Sequence, residues 1–282
     1  MKTSKSIIAI AWMLGAVLSL SLMAISGREL SDEMSTAQML LVRNIIGFVI
    51  MILVISRLGW WQLKTNKFGT HVLRNVVHFA GQFAWFYGIA SISLAEVFAL
   101  EFTTPIWTVI LAVCLLGEKV SHSRMLAIGL GFIGILVMLR PGFNEINTAS
   151  LVVLSGAFFY ACAFTFTKYL SNFDSPSAIV FYMMLIQLPL AIFLGYENFD
   201  WPGLHLTPWA LGIGTFGLTA HYCMVKSFKL ADASVVLPID FLRLPLIAFL
   251  GFLFYEETPD AWVLFGAIVV FLGTWLNLRK AS

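Results

Sequence analysis

Apolar runs dominate the chain, and its polar residues fall mostly in short gaps between them. Runs long enough to cross the roughly 30 Å of bilayer hydrocarbon lie at 6–26, 37–56, 73–92, 95–116, 123–140, 149–169, 177–195, 207–227, 233–255 and 261–278. The pattern predicts an all-α membrane protein of ten transmembrane helices, with no soluble domain between them. The first run follows MKTSK and extends from Ile7 to Ile25. It exceeds the roughly 7–15 residues of a signal-peptide core, so it reads as a span.

Charge gives the spans a direction. An even number of spans puts both termini on one side, and the loops of that side should be the basic ones. Of the 17 Lys and Arg, that side holds Lys2, Lys5, Arg57, Lys64, Lys67, Arg74, Lys119, Arg124, Lys168, Lys226, Lys229, Arg279 and Lys280. The opposite side holds Arg28 and Arg140, and the spans themselves hold Arg43 and Arg243. Both termini are therefore expected in the cytoplasm, in a protein integral to a bacterial cytoplasmic (inner) membrane.

Composition narrows the function. Of the 282 residues, 60% are hydrophobic and 11% charged, against roughly 25% charged in soluble domains, so lipid is the expected solvent. A net charge of +2 argues against nucleic acid as a partner. Cys114, Cys162 and Cys223 sit inside apolar runs with no CxxC or Cys/His spacing, which implies no metal and no cofactor. No HExxH or GxSxG motif points to an enzyme.

The two halves resemble each other. ISLAEVFALEFTTPIWTVILAVCLLGEKV (92–120) aligns with FKLADASVVLPIDFLRLPLIAFLGFLFYEET (228–258), setting Glu101 near Asp240 and Pro105 near Pro245. Each half has five spans, so the second enters the membrane from the opposite side. This predicts two inverted five-helix repeats, 6–140 and 149–279, an architecture that typically places a binding site near the membrane midplane.

The fourth span, FTTPIWTVILAVCLLGEKV, then GLGFIGILVMLRPG, and the matching ninth and tenth spans resemble the ten-span EamA type of the drug/metabolite transporter superfamily. The resemblance runs from about Ile7 to Leu278. The Gly117-Glu118 pair is replaced in the second half by Glu256-Glu257. The family resemblance implies a secondary carrier that moves a small organic solute by alternating access, with a proton as a candidate coupling ion. The stretch LADASVVLPIDFLRLP is similar to a bacterial subgroup that includes carriers for riboflavin and S-adenosylmethionine.

Charges within spans are functional candidates, since each is expensive in hydrocarbon. Glu101 and Arg43 each lie six residues from the outer start of their span, about 9 Å deep. They read either as a structural ion pair or as a protonatable gate and an anchor for a substrate carboxylate or phosphate. Asp240 and Arg243, three apart on one helix, can pair locally or line a pocket beside Pro238 and Pro245. Those prolines and Pro105 are expected helix breaks. Asn75, His78, Gln82 and Trp85 share one face of the third span, a stripe that lines a cavity or joins helices. His221, Tyr182, Gln187, Tyr160 and Thr165 complete the candidate wall.

A non-transporting membrane partner is the competing reading, and a scaffold has less reason to keep such charges. The carrier could act as a monomer or a homodimer.

Overall fold

A computed structural model describes residues 2–104, 106–107, 110–111, 129–134, 136–137, 140, 147–197, 199–230, 239–240, 242–258 and 260–281. Among them the regular structure is entirely helical. The helices are α1 (Lys2–Ser31), α2 (Thr36–Leu58), α3 (Phe68–Ser91), α4 (Leu94–Glu101), α5 (Thr148–Leu170), α6 (Pro176–Gly195), α7 (Thr207–Leu230), α8 (Arg243–Tyr255) and α9 (Ala261–Ala281). A single 3-10 turn, Trp60–Leu63, follows α2. Seven of the expected spans coincide with α1, α2, α3, α5, α6, α7 and α9, the fourth and ninth overlap α4 and α8 over part of their length, and the fifth is described only in fragments such as 129–134.

Four of the described helices are long and apolar enough to cross a membrane: α1 from Ile7, α2, α5 and α6. The helices α3 and α7 are of similar length, 24 residues each, and carry buried polar side chains along their interior. Large apolar side chains such as Phe193, Phe249 and Leu53 point outward, as a lipid solvent allows. Beside an apolar core, many large apolar groups are exposed and a set of charged and amide side chains is buried.

Local chemistry explains where the helices begin. Ser35 accepts from the Gln38 N–H while the Gln38 side chain accepts from the Ser35 N–H, a reciprocal capping box. Ser93 accepts from the Glu96 N–H at the start of α4. Ser175 caps α6, and Pro176 follows where its missing N–H is harmless. The end of α8 is less usual. Glu256 adopts a left-handed conformation at φ 54° and its N–H donates to the Gly251 carbonyl.

The chain divides into two compact units that do not follow its sequence halves. Unit 1 comprises Met1–Phe79 and Ala163–Asp240, and unit 2 comprises Ala80–Cys162 and Phe241–Ser282. In unit 1, α1 packs along α7, and α2 packs against α6 and α7. Met51, Ile55, Val180, Phe181, Met184 and Leu218 form one of its cores. Gly195 shows how close these helices come, because a Cβ there would lie 2.6 Å from the Ala37 carbonyl oxygen. Small residues permit such approach where lipid removes the hydrophobic drive for helix association. In unit 2, α4 packs on α8 and α9.

Candidate functional site

In unit 2 the last residue of α4 meets the first residue of α8. Arg243 Nη2 lies 3.1 Å from Glu101 Oε1, and the two side chains are 3% and 9% exposed. The indole of Trp85 donates to Glu101 Oε2 at 2.9 Å. The guanidinium sits 5.3 Å and 5.4 Å from the ring centroids of Phe98 and Phe102, within cation–π reach. The result is a buried ion pair walled by three aromatic rings.

The helix termini make this pair more than a local match. A helix carries partial positive charge at its N-terminus and partial negative charge at its C-terminus. Glu101 ends α4 and Arg243 begins α8, so each charge is adverse to its own helix and favourable to the other. The ion pair therefore ties two helix ends that electrostatics alone would leave poorly terminated. Pro245 is the third residue of α8. A first-turn proline needs no donor, and the residue just before the helix, Leu242, lies in a turn.

The other end of α4 is held by a second carboxylate. Glu257 Oε2 accepts from the Leu94 N–H at 2.9 Å, at the first residue of α4. The left-handed turn at Glu256 brings Glu257 back beside Gly251. Ser150 donates to Glu96 Oε1 at 2.6 Å, and Arg140 pairs with Asp260.

Unit 1 holds a longer buried polar array. His71 Nε2 lies 2.8 Å from Asp174 Oδ2, and the Thr65 hydroxyl donates to the same oxygen at 2.9 Å. Arg74 donates to Thr167 Oγ1 at 3.0 Å and to Asn75 Oδ1 at 2.6 Å. Gln187 Nε2 donates to the Asn75 carbonyl at 3.2 Å and lies 2.9 Å from His78 Nδ1. The His78 and His221 rings meet edge to face at 4.7 Å, and both lie in the field of Arg43 and Arg74. Arg43, Asn75, His78 and Gln187 are fully buried.

Arg43 reaches α7 at a glycine. A Cβ on Gly217 would lie 2.8 Å from Arg43 Nε and 3.3 Å from Nη2, so the guanidinium rests where α7 has no side chain. Tyr182 links two elements of unit 1. Its hydroxyl donates to the Leu63 carbonyl at 2.6 Å, and its ring lies 4.5 Å from that of His71, which fastens the 3-10 turn to α6.

The expected pairings were Glu101 with Arg43 and Asp240 with Arg243, and the described ion pair is Glu101 with Arg243. Gln82 is buried on α3, and Asp240 is half-buried in a short helical piece, 239–240. Pro105 and Pro238 lie outside the described residues.

With this geometry in place, comparison with known proteins identifies the family. The model of the EamA-like transporter family matches residues 7–140 and again residues 147–279. The chain belongs to the EamA-like transporter family. Within the drug/metabolite transporter superfamily, it is a transporter rather than an enzyme. It is 32% identical to a riboflavin transporter of Vibrio cholerae, over 93% of this chain and 89% of that one. It is 23% identical to an S-adenosylmethionine uptake transporter of Rickettsia prowazekii, over 94% of this chain and 90% of that one. A solved crystal structure shares the fold with a TM-score of 0.67 at 15% identity, covering 97% of this chain and 98% of the other.

For an EamA-family chain the polar interior is larger than the sequence suggested. Arg74, His71, Asp174, Thr167 and Gly217 were not among the candidates. A signal for two of them existed. His71 and Arg74 continue the stripe of Asn75 and His78 at helical spacing, but Arg74 was counted with the basic loops.

Proposed function

We propose that this chain is a secondary-active carrier that moves a small organic metabolite by alternating access. Its cargo is of the vitamin, nucleotide-like or amino-acid class. The observation that carries this reading is the buried Glu101–Arg243 pair walled by Trp85, Phe98 and Phe102. A buried ion pair adds little to stability on balance, so its retention in a membrane helix argues for use. Flat aromatic walls beside a charged donor–acceptor pair suit a planar heteroaromatic solute with polar substituents. Riboflavin and S-adenosylmethionine, which name the two relatives, both contain a planar nitrogen heterocycle linked to a polyhydroxylated group.

The same reading includes ten spans in two inverted repeats, with both termini in the cytoplasm of a bacterial inner membrane. Within-unit contacts support it. Glu33 meets His205 at 2.9 Å, and both belong to loops expected outside. Glu257 meets Leu94, and Arg140 meets Asp260, again all expected outside. His71 and Asp174 lie at ends expected inside. Glu101, released from Arg243, is the group best suited to carry a coupling proton.

Uptake into proteoliposomes of labelled riboflavin, S-adenosylmethionine and a panel of nucleosides and amino acids, with and without a pH gradient, tests the proposal. Saturable, gradient-stimulated uptake of one member is expected. No uptake of any solute, under any gradient and in either orientation, would refute the carrier.

A further inference from the structure

We propose that His71 is a proton-binding site that works a latch at one end of unit 1. The latch, His71 and Thr65 on Asp174, holds while the imidazole is neutral and opens when it takes up a further proton. The proposal goes beyond the carrier reading and takes from it only the side on which these segments lie, the cytoplasm.

Three segments meet at one carboxylate. Asp174, which is buried, lies in the turn between α5 and α6. Its Oδ2 accepts at 2.9 Å from Thr65, in the loop that follows the 3-10 turn. The same oxygen lies 2.8 Å from Nε2 of His71, in the first turn of α3. The Lys67 N–H donates to Thr65 Oγ1 at 3.0 Å, and Lys67 Nζ stands 4.8 Å from the Phe173 ring centroid. With the Tyr182 hydroxyl on the Leu63 carbonyl, these contacts bind the loop 60–67 to the turn 171–175 and to α6.

An ionised carboxylate only accepts, so the His71 proton sits on Nε2 and points at Asp174. Nδ1 is then the place for a further proton. The His71 side chain is fully buried, and Nδ1 has no described hydrogen-bond partner. A proton there makes a buried N–H without an acceptor, at the desolvation cost of a charged group. Among the described residues, the charged and titratable groups around the ring come from each neighbouring element. They are Asp174 from the turn, Tyr182 from α6 with its ring centroid at 4.5 Å, and Arg74 one turn along α3. Lys67, before α3, accepts from the His71 N–H through its carbonyl. Burial lowers the His71 pKa from its ordinary 6.5 and outweighs the opposing pull of Asp174, while Arg74 adds to the lowering. Once the loop lifts, water accepts from Nδ1 and the ring regains its ordinary basicity. The open state thus binds the proton more tightly than the latched one, so acidification below about 6.5 favours opening.

Hydrogen exchange of the purified full-length chain in phosphatidylcholine nanodiscs, read by mass spectrometry, tests the latch. It needs no transport, so it stands or falls separately from the carrier. Protection of residues 60–71 and 171–175, corrected for the intrinsic pH dependence of exchange, is compared at about pH 7.5 and about pH 5.5. It is expected to fall severalfold on acidification, by at most about tenfold per pH unit. His71→Gln keeps an N–H for Asp174 but has no proton to gain, and its protection should be the same at both pH values. Should that variant fail to elute as a single species, His71→Asn replaces it with the same expectation. Unchanged protection in the natural chain, or a fall that persists in the variant, overturns the proposal. A fall of equal size around Glu33 and His205, an exposed pair, also overturns it, because the whole chain would then be loosening.

Discussion

Arg243 Nη2 stands 3.1 Å from Glu101 Oε1, joining the first residue of α8 to the last residue of α4 across 142 positions of sequence. Each residue opposes the dipole of its own helix and complements that of its partner. Removing either one therefore leaves a buried charge facing an adverse helix end. Glu101→Gln and Arg243→Gln should each lower stability by about 3–5 kcal/mol, seen as a lower melting temperature in detergent. The double variant should recover much of that loss, yet stay inactive in uptake assays. A double variant that transports normally would remove the pair from the mechanism.

Trp85 separates hydrogen bonding from ring stacking. Trp85→Phe keeps an aromatic face against Phe98 but deletes the donor to Glu101 Oε2. Loss of a hydrogen bond to a charged group costs about 1.5–3 kcal/mol. Melting should report that loss, and uptake should slow mainly in its maximal rate. Trp85→Leu should also raise the concentration for half-maximal uptake, since it removes the ring as well.

The cap on α4 gives a graded series. Glu257→Ala deletes the acceptor for the Leu94 N–H and should cost about 1–2 kcal/mol, the range for lost helix caps. Glu257→Gln retains an acceptor oxygen and should cost less. Equal melting temperatures for the two variants would show that the carboxylate charge, rather than its oxygen as acceptor, holds the helix.

Two glycines give opposite outcomes for the same substitution. Gly195→Ala would set a Cβ 2.6 Å from the Ala37 carbonyl oxygen, a backbone atom with little freedom to move. Overpacking of this kind costs about 1–3 kcal/mol, and the contact between α2 and α6 should loosen. Around Gly69 no atom lies within 4 Å of the added Cβ. Gly69→Ala should be neutral or stabilise α3 by up to about 1 kcal/mol. Melting curves of the two variants, side by side, check the contrast.

Span positions were legible because a membrane helix declares itself by length and apolarity. Charge bias and the two matching stretches supply the basis for the orientation proposed above. Individual candidates were legible for a related reason: Glu101, Arg243, His78 and His221 stand out against apolar neighbours. Their partners were not. In water, the apolar stripe of a helix reveals which face is buried. Here lipid-facing Phe193 and interior Phe98 are equally apolar, so the sequence carries little phase from which to choose neighbours. The same blindness hid Arg74, whose place near a loop made it look solvated although it is 2% exposed. Gly217 was hidden differently, because its role is the space it leaves for Arg43.

The interleaving of the two compact units has a consequence for biosynthesis. Unit 1 needs residues 163–240 to complete the core begun by residues 1–79, and 83 residues separate the two segments. At about 5–20 residues per second, the ribosome takes about 4–17 s to cross that gap. Throughout it, α1 and α2 are in the membrane without α6 and α7, and Arg43 is without the bare surface of α7 on which its head rests. An insertase or chaperone that shelters polar helices would act in this interval. Ribosome stalling within residues 80–162 should therefore leave a nascent chain that proteases degrade quickly.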